Sequence, residues 1–228
     1  MCSSDLNRFF THVVCAFAAD RRGNFAGETG KTTEKEENTM ETKSIMIVGV
    51  GGQGTLLASR LIGNALISTG ADVKLSEVHG MSQRGGSVVT YVKYGETVHS
   101  PLIDLGEADY ILSFEALEAG RFLPYLKKGG TIITNTQHIL PMPVITGQMA
   151  YPQNVLDELK AKANVIAVDA LSLAEQAGSP KAVNVVLTGV LSKAMDLDES
   201  VWQASLEATV PPKFLELNQK AFRLGRES

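Results

Sequence analysis

The chain has 228 residues, 44% hydrophobic and 20% charged, the balance of one folded domain of ordinary size with a tail. Its formal net charge of −4 excludes a surface built to meet nucleic-acid phosphates. The only two cysteines, Cys2 and Cys15, lie near the start, which leaves the body without a disulfide, a thiolate nucleophile or a cysteine-ligated metal or cluster.

The first segment reads apart from the rest. Phe9–Ala19 follows Arg8 and ends in Ala16-Phe17-Ala18, imitating a short signal peptide, but Thr11 and His12 interrupt its apolar core. Gly23–Thr42 is polar, carries the charge run Glu34-Lys35-Glu36-Glu37, and lacks the apolar content to pack. Residues 1–43 are therefore expected to be a disordered or non-native extension, with Met40 as a natural start, and residues 44–228 the folded domain. No apolar run reaches the roughly 20 residues of a membrane helix, and a cytoplasmic location is expected.

Ser44–Gly49 is a short apolar run ending in glycine, as a buried parallel strand would be. Thr55–Thr69 places Leu56, Leu57, Leu61, Ile62, Ala65 and Leu66 at helical spacing before the stop at Gly70, and Asp72–Val78 completes a β-α-β unit. Ser87–Tyr94 alternates β-rich residues and predicts a hairpin with Thr97-Val98-His99. Ala108–Phe114 predicts a strand, then a helix over Ala116–Lys128 that Pro124 bends or splits. Gly129-Gly130 precedes a strand over Thr131–Asn135, and Pro141 and Pro143 mark an extended surface stretch. Pro152 opens a helix running to about Ala163, and Asn164–Val168 is a further strand. Leu171–Ala177, Ala182–Met195, Ser200–Thr209 and Lys213–Arg223 read as helices. The sum is an α/β doubly wound, mostly parallel sheet with a Rossmann-like start and a helical C-terminal end.

Two loops carry the chemistry. Gly49-Val50-Gly51-Gly52-Gln53-Gly54 satisfies G-x-G-x-x-G between a strand and a helix, and Thr55 adds a hydroxyl at the helix start. Gly49, Gly51, Gly52, Gln53, Gly54 and Thr55 are thus candidates for binding a cofactor or phosphate, with Asp72 or Glu77 near the place of a ribose-binding acid. The bland alternative is that the glycines only build the turn. The second loop, after Glu77, is His79-Gly80-Met81-Ser82-Gln83-Arg84-Gly85-Gly86-Ser87. Small residues there admit a close backbone approach while His79 and Arg84 supply donors. Loops at the carboxyl ends of neighbouring strands converge, so the two are expected to face each other. The four histidines, at 12, 79, 99 and 138, show no helical metal spacing, and no metal site is expected.

On these residues the sequence resembles the gamma-type subunit of the 2-oxoacid:ferredoxin oxidoreductases, in particular the beta subunit of the indolepyruvate type. The matching stretches are G-V-G-G-Q-G (49–54), S-E-V-H-G-M-S-Q-R-G-G-S-V (76–88), A-D-Y-I-L-S-F-E (108–115), N-V-V-L-T-G-V-L-S-K (184–193) and N-Q-K-A-F-R-L-G (218–225). The resemblance implies a small subunit that binds no cofactor alone. A large partner would carry thiamine diphosphate, magnesium and iron–sulfur clusters, oxidise a 2-oxoacid to an acyl-CoA with coenzyme A as co-substrate, and pass electrons to ferredoxin. It also implies that Glu77 and the second loop form the rim of the partner's active site, with no catalytic residue assigned to this chain.

Other readings keep the fold. A stand-alone nicotinamide-dependent reductase shares the glycine loop, but no Tyr-x-x-x-Lys pair or separate substrate domain accompanies it. A nucleotide- or anion-binding regulatory module shares both loops. The C-terminal apolar residues Val201, Trp202, Leu206, Phe214, Leu217, Phe222 and Leu224 are expected to be mostly core, with one face free for a partner.

Overall fold

A computed structural model describes residues 40–78, 86–195 and 197–228. The expected extension, apart from Met40 to Lys43, lies outside them.

Strand β1, Lys43–Val50, is buried from Ser44 onward, because it runs through the middle of the sheet and offers apolar side chains to both faces. Ile45 and Ile47 pack on one side, Met46 and Val48 on the other. Its neighbours are β3, Ser87–Gly95, antiparallel, and β4, Ala108–Ser113, parallel. Beyond β4 follow β5, Leu126–Asn135, and β6, Asn164–Val168, both parallel; β2, Asp72–Glu77, pairs only with β3. The strand order is β2-β3-β1-β4-β5-β6.

The mostly parallel α/β sheet is as expected, and the order changes only the pairing at its start. The hairpin is β2–β3, and β3 is inserted between β1 and β2, whereas Thr97-Val98-His99 forms no strand. The predicted β-α-β unit exists, but as a split one. At about 4.8 Å per strand, β2 lies two spacings from β1 instead of one.

Helix α1, Thr55–Ser68, covers one face with Leu61, Ile62, Ala65 and Leu66. Helix α2, Ala116–Phe122, covers the other. Pro124 sits in a 3₁₀ turn, Leu123–Tyr125, so the helix ends six residues short of Lys128 and β5 begins at Leu126. Gly129 and Gly130 belong to β5, contrary to expectation. Gly130 stands where a Cβ would lie 2.9 Å from the carbonyl of Asp109, beside the register irregularity between Ala108 and Tyr110. A short helix α3, Met142–Ile145, replaces the extended stretch at Pro141 and Pro143, and α4 spans Val155–Lys160.

The C-terminal helices α5 (Ala170–Ala177), α6 (Val183–Ala194), α7 (Glu199–Thr209) and α8 (Leu215–Glu227) pack on the α1 side. Helix α6 is buried from Val183 to Ser192, because α1, α8 and the sheet enclose it. Two of its hydroxyls bond to its own backbone: Thr188 donates to the carbonyl of Asn184 at 2.8 Å and Ser192 to that of Gly189 at 2.6 Å. Trp202, Leu206 and Phe222 are fully buried and Val201, Leu217 and Leu224 partly so, leaving Phe214 as the exposed member of the C-terminal apolar set. Most of that set is core, as expected.

Candidate functional site

All strands except β3 end at one edge of the sheet, and the connections diverge there. From β1 the chain passes over the α1 face toward β2; from β4 it passes over the α2 face toward β5. The divergence makes the gap between the ends of β1 and β4 a topological switch point, where open α/β sheets present their ligand crevice.

The glycine loop stands at that gap, and Gln53 spans it. Its side-chain carbonyl accepts the Val50 N–H at 2.7 Å and its amide donates to the Phe114 carbonyl at 3.0 Å, tying the end of β1 to the end of β4. Gly49 makes room for this brace: a Cβ there would lie 2.8 Å from Gln53 Oε1 and 2.9 Å from Phe114 Cβ. Gly54 adopts φ +83 and leaves 2.6 Å between a would-be Cβ and Asn184 Nδ2, which donates to the Gly54 carbonyl at 3.2 Å. Gly52, at φ +100, is exposed with open space around it. Thr55 is only 9% exposed and begins α1, whose first turn has no side-chain cap and no acidic residue. Gln53 and the outer glycines therefore have structural work, while the backbone around Gly52 faces outward.

The described ends of the two loops meet. Gly51 donates its N–H to the carbonyl of Gly86 at 2.9 Å, and Val50 lies opposite Ser87 in the β1–β3 register. Glu77, at the end of β2, accepts from Ser59 of α1 at 2.9 Å. His79, Gly80, Met81, Ser82, Gln83, Arg84 and Gly85 lie outside the described residues.

Around these ends runs a hydrogen-bonded chain that the sequence did not announce. The Ser87 hydroxyl donates to Glu118, whose other oxygen meets the Arg121 guanidinium at 3.1 Å. Glu115 is 1% exposed and caps α2 by accepting the Glu118 N–H at 3.0 Å. Its second oxygen accepts the Tyr151 hydroxyl at 2.5 Å and the Ile139 N–H at 3.3 Å. Both partners belong to the connection after β5, so Glu115 fastens that connection to the corner after β4. The Tyr151 ring stacks on His138, with centroids 4.8 Å apart. The only advance signal was S-F-E after an apolar strand, which reads as a cap but not as a hub.

Burial raises the Glu118 carboxyl above its ordinary value, against the opposing pull of Ser87 and Arg121. Above pH 4.5 an unfolded Glu118 loses its proton while the folded one retains it longer, so this residue's contribution to stability falls as pH rises. Glu118→Gln is expected to lose that dependence. Urea titrations of both proteins from pH 4 to 8 should show the variant gaining on the parent as pH rises; a constant or opposite difference contradicts the reading.

Two clefts lie on the described surface. One of about 530 Å³ is lined by Gly52, Gln53, Gly54, Gln137, Lys181 and Asn184, among others, and opens beside the glycine loop. The larger, about 610 Å³, lies at the opposite sheet edge around Lys127, Lys128 and Lys162, away from the glycine loop. Placement at the switch point favours the smaller. Gln137, Lys181 and Asn184 escaped the sequence reading because each stands alone in its own stretch. Among the described residues no group of three or more His, Cys, Asp or Glu is placed to hold a metal ion, and no helix is long and apolar enough to cross a membrane.

The topology also weakens the dinucleotide reading. Asp72 starts β2 at the far edge, where it accepts the Val98 N–H at 2.9 Å. Glu77 is displaced by the inserted β3 and engaged by Ser59. Neither occupies the place of a ribose-binding acid beside β1.

A family model described as pyruvate ferredoxin/flavodoxin oxidoreductase matches residues 44–228. The chain belongs to this family. The family's curated members include the indolepyruvate oxidoreductase subunit IorB of Thermococcus kodakarensis, 44% identical over 82% of this chain and 95% of that protein. The subunit of the same name from Pyrococcus horikoshii is 43% identical over the same shares. Ketoisovalerate oxidoreductase subunit VorA of Methanothermobacter marburgensis is 26% identical, and the matched region is 36% of its length. The family fold recurs in the pyruvate oxidoreductase subunit PORC of Thermotoga maritima, with a TM-score of 0.64, 17% identity, and coverage of 82% of this chain and 96% of that one. In the 2-oxoglutarate:ferredoxin oxidoreductase of Magnetococcus marinus the TM-score is 0.62 at 17% identity, over 82% of this chain and 30% of the other.

Proposed function

We propose that this chain is the small subunit of an indolepyruvate-type 2-oxoacid:ferredoxin oxidoreductase, and that its carboxyl-edge loops complete an active site carried mainly by a larger partner. The observation that carries this reading is the match to IorB subunits over 95% of their length. Thiamine diphosphate with magnesium, and the iron–sulfur clusters leading to ferredoxin, then belong to the partner. Bound there, they supply oxidative decarboxylation of the 2-oxoacid and acyl transfer to coenzyme A. In the longer relatives the matched region is about a third of a single polypeptide, which supports reading the remainder as the partner.

This chain's own contribution is placement. The Gln53 brace holds the glycine loop, the Gly51–Gly86 bond fixes the exit of the second loop, and Glu118 holds Ser87. The backbone around Gly52 is the part of the glycine loop left for the rim, and Glu77, His79, Gln83 and Arg84 contribute polar groups to the binding of substrate or acyl carrier. Arg84→Ala in the assembled enzyme is expected to lower arylpyruvate turnover per KM roughly 10- to 100-fold, as loss of a charge-assisted bond does. Steady-state dye reduction checks it. Unchanged kinetics would remove the second loop from the active site.

A further inference from the structure

Between Lys128 and Asp157 the sequence contains no Asp, Glu, Lys or Arg, although the chain as a whole is 20% charged. Part of this stretch is β5, where burial accounts for the absence. The remainder, residues 136–154, is surface apart from the buried Tyr151 and a few half-buried positions. Leu140 is 50% exposed, Met142 64%, Ile145 61% and Met149 55%, in a connection that includes the four-residue helix α3. An exposed apolar patch stripped of charge and supplied with methionine has the composition of an interface core, not of a solvated loop.

We propose that this segment is the surface on which the chain docks to its large partner subunit. The inference rests on the function proposed above and adds the place of contact. Three observations favour that occupant over a second copy. The segment leaves and re-enters the carboxyl edge, the side that carries the glycine loop. Glu115 binds it at Ile139 and Tyr151, within the hydrogen-bonded corner that reaches Glu118 and Ser87, so the patch and the rim are held as one piece. In the longer relatives the region corresponding to this chain is joined to about twice its length of further polypeptide, so a surface for that further polypeptide is expected on it. Another exposed apolar pair, Leu102 and Leu105, lies at the opposite edge beside Asp104 and Glu107 and shares none of these features.

The test is the double variant Met142→Glu/Ile145→Glu in the full chain, with Leu102→Glu/Leu105→Glu as control. Both substituted side chains of the first pair are exposed, so the isolated variant should melt with the parent. Its binding to the large subunit, followed by size-exclusion chromatography and calorimetry, is expected to weaken at least about 100-fold, as loss of a buried anchor does, while the control binds normally. Dye reduction should fall with it and return when both subunits are concentrated. Binding of parental strength by the variant overturns the proposal, as does a variant that only changes self-association of the isolated chain. If the parental pair associates but oxidises no 2-oxoacid, the functional reading fails while the docking surface stands or falls by its own binding data.

Discussion

Gly225→Ala is expected to destabilise the protein by about 3 kcal/mol, although in an open helix the same change would stabilise by about 1 kcal/mol. The sign reverses because α6 and α8 cross backbone on backbone. A Cβ at Gly225 would lie 2.0 Å from the Val186 carbonyl oxygen and 2.8 Å from its carbon; one at Gly189 would lie 2.2 Å from the Phe222 carbonyl oxygen. These are main-chain atoms that no rotamer change moves, so the helices must separate. Separation opens the packing of Val185, Val186, Ala221 and Phe222, all fully buried. The single tryptophan reports it: Trp202 is 1% exposed and its ring centroid lies 5.8 Å from that of Phe222. Urea unfolding followed by Trp202 fluorescence should show the midpoint falling sharply. An unchanged or higher midpoint would mean that the helices do not touch this way.

Glu115→Ala should cost a comparable amount, about 3 kcal/mol or more, for a different reason. It removes the acceptor of three donors, the N–H groups of Glu118 and Ile139 and the Tyr151 hydroxyl, from a position 1% exposed to solvent. Each buried donor left unpaired costs about 1–3 kcal/mol. Tyr151→Phe removes one donor with its bond and keeps the ring against His138, so its loss should stay near 1 kcal/mol. Glu115→Gln keeps one accepting oxygen and falls between them. Denaturation of the three variants should give that order. In Glu115→Ala, amide exchange at Ile139 should also accelerate, because the connection after β5 loses its fastening. If the alanine variant were as stable as the parent, the hub would be an incidental contact.

The sequence made the strands legible where an unbroken apolar run marks them. The apolar runs of β1, β4 and β6 and the helical spacing of α1, α5, α6 and α7 lie close to their observed bounds. Strand order was not legible. The alternation in Ser87–Tyr94 predicts a strand but is silent on whether it flanks β2 or enters between β1 and β2. Lys127, Lys128 and the two glycines look like a helix end and a turn, and the close approach of Ala108 and Asp109 explains why Gly130 is the residue that continues the strand.

At the site, the glycine pattern located the loop and the switch point. Its spacing could not reveal that Gln53 is occupied in bracing β1 to β4, since Phe114 lies 61 residues away in sequence. Glu115 was hidden for the same reason. Its partners at 139 and 151 meet it only once β5 lies beside β4.

The claim on which the functional account depends is that this chain works by completing another polypeptide. The direct measurement is a titration of the purified large thiamine-binding subunit with this chain, following arylpyruvate- and CoA-dependent reduction of a viologen dye. Each component alone should be inactive, and turnover should rise to a plateau at a fixed stoichiometry. Turnover by this chain unaided, or a saturated pair that oxidises no 2-oxoacid at all, would contradict the account.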